Sequence, residues 1–168
     1  SMNSAEWILT GYMLSMATIL PAAGWLSDRF GYKRIFIFSL TVFTVGSFMC
    51  GNSTTIGELV FWRIFQGIGG GLLMPVGMAV VTTVFPVEQR GMALGFWAIA
   101  SAASVSFGPL IGGYLVDNLN WNYIFFVNIP IGIFSIIYTM IVQQEYKTGM
   151  RQKFDIPGFI TSAVFLPV

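Results

Sequence analysis

Five stretches of this 168-residue chain carry no charged side chain: 7–27, 35–57, 64–87, 91–116 and 118–144. The shortest holds 21 residues. A helix rises 1.5 Å per residue, so crossing about 30 Å of hydrocarbon takes ~20 residues. Each stretch is long enough. Sustained apolar–polar alternation, the mark of barrel strands, is absent from them. The chain therefore reads as all-α, a polytopic transmembrane helix bundle. Composition points the same way. Only 9% of residues are charged and 55% are hydrophobic, whereas a soluble domain carries about 25% charge.

The expected helices are 7–27, 35–56, 59–85, 92–116 and 122–143, together a partial bundle over 1–143. A connection over 144–157 follows. An apolar run over 158–168 reads as the start of a further transmembrane helix, truncated at the last residue.

The few charges set the orientation. Arg29, Lys33 and Arg34 sit after the first stretch, Arg90 after the third, and Lys147, Arg151 and Lys153 after the fifth. Five crossings put these seven bases on one side. The other side shows only Glu6, Glu58 and Asp117. The positive-inside rule makes the basic segments 28–34, 86–91 and 144–157 cytoplasmic.

Several function classes drop out. There is no histidine, and the single cysteine, Cys50, lies in an apolar run. No metal site and no cofactor are expected, and no nucleophile, base and acid assemble into an enzyme site. The few bases are accounted for by topology, so nucleic acid is not an expected partner. The expected surroundings are lipid bilayer.

Three motifs carry more. The first is Gly24-x-Leu26-Ser27-Asp28-Arg29-x-Gly31-x-Lys33-Arg34. Gly24 would let helices approach closely, Gly31 suits a turn with positive φ, and Asp28 at a membrane interface needs partners. The second is Leu59-x-x-x-Arg63-x-x-Gln66-Gly67-x-Gly69-Gly70-Gly71. Arg63 is the one charge between 59 and 87. It either snorkels to the outer end or faces into the bundle. Gln66, about one turn on, is within reach of it. Gly67 and Gly71 form a small-x-x-x-small pair that permits close packing. The third is Ser104-x-x-x-Gly108-Pro109-x-x-Gly112-Gly113, which reads as a kinked helix with one face flattened for a neighbour. Asn128 and Pro130 fit either a cavity wall or an interfacial turn.

The first motif matches, without a departure, the loop between helices 2 and 3 of the major facilitator superfamily. The second resembles that family's helix-4 motif. The third resembles its antiporter motif of helix 5, G-x-x-x-G-P-x-x-G-G, with Ser104 standing where the first glycine belongs. Trp121 to Gly132 resembles the start of helix 6 in the 14-helix drug:proton antiporter branch, and Phe154-Asp155-x-x-Gly158 the lead-in to helix 7 there. The resemblance covers essentially the whole chain, as helices 2 to 6 and the beginning of 7.

That resemblance implies a partial major facilitator fold and a role in proton-coupled multidrug efflux across the cytoplasmic membrane by alternating access. Gly24, Asp28, Arg29, Gly31, Lys33 and Arg34 would form a conformational-switch loop that latches onto the other half of the carrier. Arg63 and Gln66 would serve proton coupling and line the central cavity. Gly67, Gly71, Ser104, Gly108, Pro109, Gly112 and Gly113 would pack helices. Met74, Met78, Phe96 and Trp97 are candidates for the substrate wall. The partners implied are small hydrophobic or cationic drug-like substrates, with protons as coupling ion. The acidic proton carrier would sit in helix 1, before this chain. Alternatives are a facilitator for a specific metabolite, or a non-transporting half-carrier acting as a membrane partner protein.

Overall fold

The computed structural model describes residues 2–145 and, beyond them, 155, 158, 159 and 161, with side chains from Glu6 onward. Lys147, Arg151 and Lys153 lie outside the described residues, as do most of 144–157 and 158–168.

The described residues form seven helices: α1 (Met2–Ile19), α2 (Ala22–Phe30), α3 (Tyr32–Gly51), α4 (Ile56–Val84), α5 (Val87–Asn118), α6 (Tyr123–Phe126) and α7 (Asn128–Val142). Four spans are long and apolar enough to cross a membrane: α3, α4, α5 and the stretch Tyr123–Val142. The pair α1 and α2 makes a fifth if counted as one bent span.

That bend corrects the expectation of one helix over 7–27. The axis turns by 55° between Ile19 and Ala22. The cause is Pro21, which has no N–H to give the preceding turn and whose ring crowds the carbonyl four residues back. A second break falls at Val127, between α6 and α7. Pro130 lies in the first turn of α7, where its missing N–H matters least. Asn128 Nδ2 donates back to the Ile124 carbonyl at 3.3 Å. Asn128 and Pro130 thus both lie in the first turn of α7.

Helix α4 starts at a capping box. The Thr55 hydroxyl accepts from the Glu58 N–H at 3.2 Å, and the Glu58 carboxylate accepts from the Thr54 N–H at 3.0 Å. From there α4 runs between α1 and α3 and packs most extensively on both. Glycine makes this possible. A Cβ on Gly69 would lie 2.6 Å from the Phe43 nitrogen and 2.7 Å from the Ser39 carbonyl oxygen of α3. A Cβ on Gly67 or Gly71 would lie 2.7 Å from the Tyr12 or the Met16 carbonyl oxygen of α1. Gly67 and Gly71 therefore seat α1, while Gly69 seats α3. The small apolar core sits near the α2–α3 turn, where Ala23, Ile35, Leu72 and Val76 join α2, α3 and α4.

Ties at both ends fix α3 against α6 and α7. At its first turn the Lys33 ammonium donates to the Met140 carbonyl. At its last residue the Gly51 carbonyl accepts from Asn122 Nδ2. Helix α5 is different. None of its residues is buried, and it touches α4 and α6 only lightly.

Candidate functional site

Arg63 sits in the second turn of α4, about 10 Å from the helix start. The Cys50 and Phe125 ends of α3 and α6 are beside it. It does not snorkel outward. Its Nη1 donates to Gln66 Oε1 at 2.8 Å. Its guanidinium carbon lies 4.1 Å from the centre of the Tyr12 ring and 5.6 Å from that of Phe125. Placing an arginine inside the bilayer costs ~2.5–3.5 kcal/mol on insertion scales. A hydrogen bond from a charged donor contributes about 1.5–3 kcal/mol and a desolvated cation–π contact up to about 2. The partners are of the right size to hold the charge inside. Arg63 Nε is buried and has no acceptor among the described residues.

Gln66 was expected on the cavity wall, and here the structure corrects the sequence. It is only 1% exposed, wedged where Gly46 brings α3 against α4. A Cβ on Gly46 would lie 2.7 Å from the Gln66 Cβ. Its amide bridges the two helices, with Nε2 donating to Ser47 Oγ at 2.6 Å. Ser47 in turn donates to the Phe43 carbonyl at 2.9 Å. Tyr12 and Phe125 beside Arg63, and Ser47 and Cys50 beside Gln66, thus complete the surroundings of the pair. They come from three other elements, so no local motif announced them. One signal was present: Ser39, Gly46, Ser47 and Cys50 put small residues on one face of α3 at helical spacing.

The turn between α2 and α3 is built as a hinge of one residue. Gly31 has φ +99°, a conformation open to glycine and strained for other residues. Its N–H donates to the Ser27 carbonyl at 2.8 Å, and its carbonyl accepts from Ile35 at 3.1 Å. The Tyr32 hydroxyl donates to Asp28 Oδ1 at 2.8 Å. The Arg29 guanidinium lies over the Trp25 and Phe30 rings at 5.4 and 5.8 Å. Lys33 is tied to α7, and Arg34 Nε is 3.5 Å from a carboxylate oxygen of Glu145. Gly24 departs from expectation. A Cβ there would meet nothing within 4 Å, because its face of α2 points away from α3 and α4.

Among the described residues there is no cluster of metal-ligating side chains.

A profile of the Major Facilitator Superfamily matches residues 1–162. The chain belongs to the major facilitator superfamily. Its curated relatives include proteins provisionally named multidrug resistance protein MdtD. That of Serratia proteamaculans is 41% identical over 157 residues, covering 94% of this chain and 33% of the relative. Those of Yersinia pestis and Yersinia pseudotuberculosis are each 38% identical, covering 94% of this chain and 34% of the relative. The chain spans about a third of the length of these relatives.

The remaining facilitator motif is found unpartnered. Gly108, Gly112 and Gly113 have nothing within 4 Å of an added Cβ, and Ser104 bonds only back to its own helix at the Ala100 carbonyl. The tight packing expected of this face is not made with the described helices. Helix α5 also runs unbroken through Pro109. Of the wall candidates, Trp97 is a packing residue, its indole against Gly77 of α4. Met74, Met78 and Phe96 are exposed. On α4, Met74 lies at about 20° from the azimuth of Arg63 and Met78 at about 60°. The groove of about 420 Å³ between α1 and α4 and the cavity of about 500 Å³ between α3, α4 and α7 are lined by other residues.

Proposed function

We propose that this chain forms much of the N-terminal half of a proton-coupled exporter of small hydrophobic or cationic drug-like compounds. It would work in the cytoplasmic membrane, with 28–34, 86–91 and 144–157 on the cytoplasmic side. The observation that carries the reading is Arg63. A permanent cation is held inside the bundle by Gln66 and the Tyr12 ring, and it retains a buried Nε–H without an acceptor. A buried donor of this kind is costly unless something comes to meet it. An arriving carboxylate or substrate oxygen satisfies it in one state of the carrier and releases it in another. That is the differential interaction a coupled carrier needs.

Met74 and Met78 support the substrate side of the reading. They continue the Arg63 face of α4 toward the inner end, about one and two turns beyond Gly71, where α1 stops and the chain bends at Pro21. Flexible thioethers suit ligands of varied shape. The names of the relatives support drug-like substrates. The family architecture supports alternating access as the mechanism, with the turn around Gly31 acting as one side of a latch.

The test is dye efflux from energised cells expressing the full-length carrier, with and without a protonophore, beside an Arg63→Ala variant. Efflux is expected to collapse with the protonophore and with loss of Arg63. Dye accumulation unchanged in every case, with the protein present in the membrane, would overturn the reading. A specific-metabolite facilitator or a non-transporting partner protein would then be the better description.

A further inference from the structure

We propose that Ser47 of α3 is a positioning residue for Arg63, acting through Gln66. The proposal rests on the reading of Arg63 as the coupling residue. Ser47 has one proton, and its hydroxyl gives that proton to the Phe43 carbonyl at 2.9 Å. Toward Gln66 it is therefore an acceptor. Gln66 must turn its NH₂ group to Ser47, where Nε2 lies 2.6 Å from Oγ. The same amide then presents its carbonyl oxygen to Arg63 Nη1 at 2.8 Å.

A glutamine amide has nearly the same shape either way round. Its polarity is decided by neighbours, and here two neighbours agree. With the amide reversed, an NH₂ group would face the guanidinium and two donors would oppose each other. Ser47 is 0% exposed and Gln66 1% exposed, so water does not substitute for either partner. Cys50 Sγ, 4.0 Å from Gln66 Oε1, is a weak donor that favours the same orientation.

The consequence is mechanical. Gln66 and Arg63 ride on α4, whereas Ser47 rides on α3. Ser47 stands 13 residues from Arg34, about 20 Å along one unbroken helix. That helix begins at the Gly31 hinge and carries Lys33 and Arg34, tied to α7 and Glu145. A shift of α3 along α4, started at the α2–α3 turn, reaches the Arg63 side chain through two hydrogen bonds in series, Ser47 to Gln66 and Gln66 to Arg63.

The experiment uses the full-length carrier, purified, with phenylglyoxal as the probe. This reagent modifies accessible guanidinium groups, and the modified Arg63 peptide is followed by mass spectrometry. The variants are Ser47→Ala, Gln66→Met, their double, and Ser39→Ala. Ser39 is an equally buried α3 serine whose hydroxyl donates only to its own helix, at the Ile35 carbonyl. Arg63 is expected to react at least about tenfold faster in Ser47→Ala and Gln66→Met, the factor a hydrogen bond to a charged group supplies. Ser39→Ala should match the parent, and the double should match Gln66→Met. In efflux assays Ser47→Ala should shift the pH midpoint in the same sense as Gln66→Met, with no further shift in the double.

A parent-like modification rate in Ser47→Ala, or additive effects in the double, overturns the proposal. If Ser47→Ala does not accumulate, Ser47→Cys keeps the size and removes the strong acceptor, with the same two outcomes. If the parent exports nothing while the modification rates divide as expected, Ser47 still positions Arg63 and it is the transport reading that fails.

Discussion

The Lys33 ammonium donates to the Met140 carbonyl oxygen at 2.8 Å, joining residues 107 positions apart. Met140 lies in the last turn of α7, where carbonyls lack helical partners and the helix end carries partial negative charge. A cation placed there is worth roughly 0.3–1 kcal/mol when partly exposed. Arg34, one residue on, has a side chain 70% exposed and makes a 3.5 Å pair with Glu145. Exposed pairs of that kind contribute little. Lys33→Ala should therefore lower the Tm of the purified carrier measurably, and Arg34→Ala should leave it nearly unchanged. The reverse ranking would show that Glu145, rather than the α7 end, anchors the turn.

Gly69 sets how close α3 and α4 come. The atoms a Cβ would strike are the backbone nitrogen of Phe43 and the carbonyl of Ser39, and backbone does not step aside as a side-chain tip does. Gly69→Ala should separate the helices and destabilise the carrier by about 1–3 kcal/mol, as overpacking does. Gly57, in the first turn of the same helix, has nothing within 4 Å of an added Cβ. Gly57→Ala should be neutral or slightly stabilising, since alanine is the better helix former. Thermal unfolding of the two variants side by side makes the comparison. Equal behaviour would mean that α3 and α4 pack more loosely than the geometry requires.

Charge-free length made the helices legible in the sequence, because a bilayer punishes charge wherever it falls. The break at Pro21 was legible too, in a proline 14 residues into an apolar run, but length alone hid it. Gly31 was readable because one residue type satisfies a positive φ. The neighbours of Arg63 were not. Tyr12 and Phe125 meet it only through tertiary packing, as Ser47 meets Gln66, and each is an ordinary residue within its own helix. Gln66 was placed beside Arg63 by its spacing, yet spacing cannot say whether a side chain faces a cavity or a neighbouring helix. The glycines of α5 show the opposite limit. A face built for close packing announces itself in sequence, while the element that covers it does not.

Tyr12 and Arg63 are held face to ring at 4.1 Å, which makes the ring rather than the hydroxyl the attractive partner. A cation–π contact of this kind is worth roughly 0.5–2 kcal/mol, depending on desolvation. Tyr12→Phe keeps the ring and should export dye at close to the parental rate. Tyr12→Leu keeps apolar bulk but loses the quadrupole, and its export should fall several-fold at equal abundance. If Phe and Leu lose export alike, the hydroxyl is the working part and the ring contact is incidental.

Asp28 and Tyr32 allow charge to be separated from local structure at the inner turn. The Tyr32 hydroxyl donates to Asp28 Oδ1 at 2.8 Å. An asparagine at position 28 still offers an oxygen acceptor there, so Asp28→Asn should leave the α2–α3 turn folded and the protein abundant in the membrane. It removes only the negative charge. Under the proposed latch between halves, that charge has to be attracted in one state of the carrier and released in another. Efflux by Asp28→Asn should therefore fall steeply while abundance stays near parental. Tyr32→Phe, which removes the local bond and keeps the charge, should retain most of the activity. Efflux preserved in Asp28→Asn but lost in Tyr32→Phe would make the turn's own hydrogen bond, not the charge, the feature that transport depends on.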